Sequence, residues 1–276
     1  MDSIYKSKIS FVDFTKMRVS IVLDINNWVL EQTNSLISDM ISDEDIKLNT
    51  VQVIINALYF YEEWSIAFDS LKTVNDQFYI NLKDSSNVSM LTNTSYYRHF
   101  NNNLLHLLEI PYEDEETSFL VLLPNGNDMD FLLNYLDTEI IKEYLENSQY
   151  EKGYIKIPKF TLESSYSMKD YLKNLGLLSP FNPRLADFSG FWDYVNYCKE
   201  NPPRHYIDII KHKTAFKIDE LGTEATSATS VIINRVTMVD PQVKPFSFIA
   251  NRPFIFMIYN KKINAILFMG IYRNPD

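Results

Sequence analysis

The sequence contains very little cysteine and glycine. Its 276 residues include one cysteine, Cys198, which excludes an internal disulfide and a cysteine zinc cluster. Six glycines leave little room for a loop that cradles phosphate, and no P-loop, dinucleotide-binding, GxSxG or HExxH motif is present. The four histidines have no spacing typical of a metal site. The sequence therefore predicts neither an enzyme nor a protein that binds a metal or a cofactor.

Excess positive charge, long apolar runs and an apolar leader are also absent. The net charge is −10 and the basic residues are scattered, which argues against a nucleic-acid partner. The longest apolar runs fall well short of the ~18 residues of a transmembrane helix, so we expect no membrane association. The first eight residues are polar rather than an apolar leader, which by itself favours a cytoplasmic location.

Apolar residues make up 46% of the chain and aromatic residues 14%, enough for a substantial core. Strand patterns outnumber helical ones and do not alternate with them as in βαβ units, which predicts an α+β fold with mixed or antiparallel sheets. The predicted strands are 9–14, 51–60, 77–80, 88–91, 106–112, 118–123, 153–162, 207–218, 246–258 and 265–272. The predicted helices are 20–41, 129–147 and 168–175, the last one capped by Gly176. The nearly continuous apolar run at 51–60 predicts a strand covered on both faces.

One stretch, residues 217–241, has an unusual composition. It begins inside a strand, because residues 214–219 alternate apolar and polar side chains. After Gly222 the side chains become small and polar, and the β-branched run at 231–233 follows. Such residues tolerate an extended backbone and lose little side-chain entropy when they become ordered. This composition predicts a loop that can become a strand.

The segment 220–229, ELGTEATSAT, resembles the hinge of serpins, and further matches follow in family order along almost the whole chain. They are INNWV at 25–29, NALYF at 56–60 with Trp64 and Phe68, EIPY at 109–112, LLP at 122–124, IPKF at 157–160, ANRPF at 250–254 and LFMG at 267–270. The resemblance implies one serpin-like α+β domain over 1–276, with several mixed or antiparallel sheets, surrounding helices and an exposed reactive-centre loop at about 221–243. The chain begins at what resembles the strand after the fifth helix, so we expect it to lack the usual N-terminal helices.

The resemblance also implies a mechanism. A serpin is cleaved in its reactive-centre loop and traps the protease as an acyl-enzyme, while the loop inserts into the main sheet. The implied partner is a serine protease cutting at Arg235–Val236, since arginine fits the acidic pocket of trypsin-like enzymes. Counting from Glu220 by the commonest family length gives Val236–Thr237 instead, which favours an elastase-like enzyme. A cysteine protease is a further alternative.

Several other residues acquire roles from the resemblance. The implied hinge residues are Glu220, Gly222, Thr223, Glu224, Ala225, Thr226, Ser227, Ala228 and Thr229. Lys159 would pair with Glu220, and Trp64 would pack where the loop first enters the sheet. Asn56 and His212 would form a buried polar pair under the opening strands.

The family setting implies a monomeric, secreted glycoprotein of the extracellular space, while the polar start of the chain leaves a cytoplasmic location open. Asn87 and Asn93 lie in sequons that could carry glycans. The alternative function is a non-inhibitory serpin-like binding protein or an inactive truncated isoform.

Overall fold

The computed structural model describes residues 8–126, 129–188, 205–223 and 244–275. Its helices are α1 (Arg18–Gln32), α2 (Met129–Tyr135), α3 (Thr138–Glu146) and α4 (Met168–Asn174), with 3-10 turns at Ser70–Lys72 and Ser179–Phe181. Its strands are β1 (Val53–Tyr59), β2 (Glu62–Glu63), β3 (Val74–Tyr79), β4 (Ser85–Asn101), β5 (Leu105–Pro111), β6 (Thr117–Pro124), β7 (Gln149–Pro158), β8 (Phe160–Ser167), β9 (Ile209–Ile218), β10 (Gly222–Thr223), β11 (Phe246–Ile249), β12 (Phe254–Asn260) and β13 (Ala265–Tyr272). The chain divides into two compact units, Met1–Tyr59 with Leu162–Ala215, and Phe60–Thr161 with Phe216–Asp276. A single domain over 1–276 stays a prediction.

In the first unit, α1 packs on the chain that follows it. Ile21 and Val22 contact Ile41 and Ile46, while Val29 lies in a second cluster with Ile37, Met40 and Ala215. The predicted helix 20–41 was too long, because Asn34 and Ser35 have φ of 49° and 67°, which ends a right-handed helix. The apolar spacing continued past the helix because the returning chain buries Ile37 and Met40 in that same core.

The main ladder of this unit joins β1 and β9, which run parallel from Val53 opposite Ile209 to Tyr59 opposite Ala215. β8 also pairs with β9. The expectation that β1 is covered on both faces was wrong, because none of its seven residues is buried. Within the described chain its ladder partner is β9 alone, so its other side resembles a sheet edge.

The second unit is built on a sheet of order β11-β7-β4-β5-β6-β12-β13, with β3 also paired to β4. β11 and β7 run parallel and the other pairs run antiparallel, which confirms the predicted mixed topology. Every residue of β6 is buried, and α2 and α3 contribute Leu132, Ile141 and Tyr144 to the core over β5, β6 and β12. The closing hairpin β12–β13 is confirmed.

Besides the helix at 20–41, four predicted elements differ from the structure. Residues 9–14 form no strand, and Phe11 is 77% exposed, because alternation alone does not supply a pairing partner. β4 extends ten residues beyond the predicted 88–91, through a polar sequence whose alternation is weak. The helix at 129–147 is two helices, since Asp137 caps α3 by accepting the Ile140 N–H at 2.8 Å. The predicted strand 246–258 is split into β11 and β12 around Pro253.

The predicted cap of the last helix is confirmed. Gly176 follows α4 with φ +96°, the conformation for which a glycine is favoured after a helix. β7 ends at Pro158, whose ladder partner is Met90 of β4. Most of the segment 186–203 lies outside the described residues.

Candidate functional site

The candidate site lies where β9 ends and the chain turns back on itself. The Asp219 carboxylate accepts the Leu221 N–H at 3.0 Å, and the Asp219 N–H donates to the Gly222 carbonyl at 3.0 Å. These bonds fold the chain into a tight turn. Its outgoing arm is β10, whose Thr223 pairs antiparallel with Ile218. The hinge residues Gly222 and Thr223 are therefore already in a strand.

β10 has a second neighbour, β2. Gly222 lies opposite Glu63 and Thr223 opposite Glu62, also antiparallel. β10 is thus sandwiched between β9 and β2, and Thr223 is completely buried. A Cβ on Gly222 would lie 2.7 Å from the Glu63 Cα and even closer to the Glu62 carbonyl. The close approach of the β2 backbone requires glycine at this position.

Trp64 also holds this turn, through two hydrogen bonds. Its indole N–H donates to the Asp219 carbonyl at 2.9 Å, and its backbone N–H donates to the Leu221 carbonyl at 2.9 Å. The indole stacks on the Tyr112 ring, with centroids 4.7 Å apart and planes 7° apart, and Phe68 meets it edge-on. Trp64 therefore contacts the turn at 219–221 directly, and its role in loop entry stays a prediction.

The resemblance gave Tyr112 no role, although the structure gives it a direct contact with the hinge. Its hydroxyl lies 2.7 Å from the Thr223 hydroxyl, and both residues are fully buried. Burial raises the pKa of Tyr112 and the hydrogen bond with Thr223 only partly opposes this, so the phenol stays neutral. The two residues are 111 positions apart in sequence, and no local pattern links them.

Glu220 is tied to the flanking chain by two side chains. The Lys159 ammonium donates to one carboxylate oxygen at 2.6 Å, and the Thr73 hydroxyl donates to the other at 2.9 Å. Partial burial alone would raise the pKa of Glu220, but these hydrogen bonds outweigh it and lower the pKa below its usual value. The structure brings the predicted Lys159–Glu220 pair together. It adds Thr73, which sequence reasoning missed.

Carboxylates crowd the outer side of β10. Burial raises the pKa of Glu62, and the nearby Asp114, Glu113 and Glu63 raise it further. The Glu113 N–H donates to the Glu63 carbonyl at 2.9 Å, which fixes this acidic turn beside β2. The base of the loop is therefore bordered by negative charge.

Asn56 and His212, implied by the resemblance to form a buried polar pair, are register neighbours on β1 and β9. They are not a buried pair, because Asn56 is exposed and His212 is half-buried. The His212 ring stacks on Tyr166, and its Nε2 lies 3.2 Å from the Thr214 hydroxyl.

The remaining predicted residues fall into two groups. Glu224, Ala225, Thr226, Ser227, Ala228, Thr229, Arg235, Val236 and Thr237 lie outside the described residues. The sequon asparagines lie on β4, where Asn87 is exposed and Asn93 half-buried.

The described ranges contain neither a metal-binding cluster nor a membrane-spanning helix. No cluster of three or more His, Cys, Asp or Glu side chains in them could hold a metal ion. No helix in the same ranges has the length and apolar character needed to cross a membrane.

Comparison with known proteins gives consistent matches. The family model "Serpin (serine protease inhibitor)" matches residues 1–275. An uncharacterised serpin-like protein of Thermococcus kodakarensis is 34% identical over 273 residues, which cover 98% of this chain and 60% of that protein. Human Serpin B4 is 32% identical over 282 residues, covering 98% and 68%. The leukocyte elastase inhibitor of Xenopus laevis is 31% identical, covering 98% and 70%.

Solved structures agree. A serpin from the trematode Schistosoma haematobium superposes with a TM-score of 0.79 at 26% identity, covering 100% of this chain and 69% of that one. Native protease nexin-1 gives a TM-score of 0.83 at 25% identity, covering 99% and 71%. The chain spans 60% of the archaeal relative's length.

Proposed function

The chain belongs to the serpin family, and from this we propose that it is a monomeric inhibitor of a serine endopeptidase that traps its target by inserting its cleaved loop into a sheet. The observation that supports this most is β10. Two hinge residues, Gly222 and Thr223, already pair antiparallel with β2, and Thr223 also pairs antiparallel with β9 on its other side. Insertion would extend a strand that has begun to form.

The sheet gains hydrogen bonds if the insertion proceeds. β1 and β9 now share one parallel ladder of seven residue pairs. A strand entering between them in the direction of β10 would replace that ladder with two antiparallel ones. Antiparallel pairing is somewhat more stable per residue than parallel pairing, and each inserted residue would satisfy its backbone on both sides. This gain opposes the entropy cost of ordering the loop.

The hinge sequence suits such a strand. Thr223, Ala225, Ser227 and Thr229 would share one face, because side chains in a strand alternate. All four are small, so they can be accepted at buried positions with little steric cost. From residue 223 to 235 an extended strand at about 3.3 Å per residue spans roughly 43 Å, enough to carry a tethered protease far from its docking position.

We assign the bond cleaved by the protease to Arg235–Val236. The long basic side chain of Arg235 fits the acidic specificity pocket of trypsin-like enzymes, and this makes it a stronger determinant than valine. The alternative bond, Val236–Thr237, suits an elastase-like enzyme, and one relative carries the name leukocyte elastase inhibitor. A cysteine protease is the third candidate. The exposed Asn87 is accessible to a glycan, in keeping with an extracellular setting.

The test is incubation with trypsin followed by denaturing electrophoresis. An inhibitor acting through Arg235 gives a covalent complex that survives boiling in detergent, and catalytically inactive trypsin gives none. Arg235→Ala should abolish the complex, whereas Arg184→Ala, at an exposed arginine outside residues 224–243, should leave it intact.

Cleavage near Arg235 without a complex would overturn the proposal. That result would instead support a non-inhibitory serpin-like binding protein or an inactive truncated isoform.

A further inference from the structure

Two histidines face each other inside the second unit. His99 lies near the end of β4 and His106 near the start of β5, and the two strands pair antiparallel. The His99 Nδ1 and His106 Nε2 atoms are 3.1 Å apart. The residues are 8% and 9% exposed, so water cannot readily separate the two rings.

The same rings support β11, the strand that follows residues 224–243. Phe246 stacks on His99 with ring centroids 3.8 Å apart, and Phe248 meets His106 edge-on at 4.8 Å. β11 is a four-residue edge strand whose ladder partner in the described chain is β7. Gly153 of β7 leaves the space for the Phe246 ring, since a Cβ there would overlap it. A short edge strand with one ladder depends strongly on these ring contacts.

Only one proton fits between the two facing nitrogens. With the His99 Nδ1–H donating to the His106 Nε2, the His99 Nε2 faces the Glu151 carboxylate of β7 at 3.4 Å. A second proton on His106 Nε2 would place two N–H donors against each other with no acceptor between them.

The charged groups around the two rings also oppose protonation of His106. Arg252, in the segment between β11 and β12, adds positive charge near His106, and Glu151 is the negative group beside His99. β11 contributes two uncharged phenyl rings to the cluster. Burial, then His99, then Arg252 lower the pKa of His106 to about 4.

We propose that the His99–His106 pair is an acid-sensitive lock on β11, and that protonation of His106 releases this strand from β7. The lock would control how the chain after residues 224–243 is anchored. It is independent of the proposed protease target, because it depends only on contacts within the second unit.

The direction of the pH effect follows from the two states of His106. Its pKa is about 4 with β11 closed and near the ordinary 6.5 once the ring is solvated. The open state therefore binds the proton more tightly, and the closed state is favoured fully above about pH 6.5. This preference is lost progressively as the pH falls from about 6.5 towards 4.

Hydrogen exchange of the full chain, followed by mass spectrometry, tests the lock. We expect the β11 peptide, corrected for intrinsic exchange, to open on the order of 50-fold more often at about pH 4.5 than at about pH 7.5. β12 serves as the internal reference. His106→Gln should remove most of this response, and His205→Gln, outside the pair, should retain it.

A second variant, Glu151→Gln, keeps the lock testable if His106→Gln does not fold. The Glu151 side chain is 52% exposed, so Glu151→Gln should fold normally. This variant removes the negative charge beside the pair. A protonated His106 then adds uncompensated positive charge to the closed state, so β11 should open at a higher pH than in the wild type. Equal opening of wild-type β11 at both pH values, or an unchanged midpoint in Glu151→Gln, would overturn the lock.

Discussion

At the scale of residues, the hinge is held by side chains far away in sequence. Lys159, Glu220 and Trp64 could be identified from the sequence, because each lies in a motif that resembles the family pattern. Tyr112 and Thr73 could not be assigned roles, since their partners Thr223 and Glu220 are brought to them only by the sheet. Side-chain pairs of this kind depend on strand register, which local sequence does not encode.

The Tyr112–Thr223 contact gives a prediction at this scale. Tyr112→Phe removes one hydroxyl and leaves the other buried without its partner, which should cost about 1–3 kcal/mol. Thr223→Val should have a similar cost, whereas the double variant should lose less than the sum. Urea unfolding of the four proteins measures the coupling, expected at about 1 kcal/mol. Strictly additive losses would show that the two hydroxyls do not interact.

At the scale of elements, buried apolar runs were the most predictable. β5, β6 and the β12–β13 hairpin follow directly from alternating or continuous apolar sequence. The false strand at 9–14 and the overlong helix at 20–41 have a common cause. Periodicity reports which side chains are apolar, but pairing partners and residues with positive φ decide whether an element forms and where it ends. Asn34 and Ser35 show this for α1.

Substitution of Gly222 tests how closely β10 packs against β2. Gly222→Ala would force a methyl group against the backbone of Glu62 and Glu63, and backbone cannot rotate away as a side chain can. We expect β10 to separate from β2, with faster hydrogen exchange in both strands and a loss of about 1–3 kcal/mol. Gly126→Ala is the matched control, because its Cβ would meet nothing within 4 Å. Similar effects of the two substitutions would contradict the close-approach argument.

At the scale of the whole molecule, composition and periodicity predicted an α+β fold with mixed or antiparallel sheets, and the resemblance supplied the family. It also implied a loop and a cleavage bond at residues that lie outside the described ranges. The structure adds the contacts that hold the base of that loop. Gly222 and Thr223 pair with β2 and Thr223 also pairs with β9, while Trp64 holds the preceding turn and Tyr112 holds Thr223.

We propose that the cleaved loop becomes a strand of the sheet. Comparing the thermal unfolding of intact and loop-cleaved protein tests this most directly. Cleavage within 224–243 by a non-target protease should raise the Tm by about 10 °C or more, at roughly 2–4 °C per kcal/mol gained. Ala225→Arg, which places a charged side chain on the inserting face, should be cleaved without this rise. An unchanged or lower Tm after cleavage of the wild-type chain would contradict insertion.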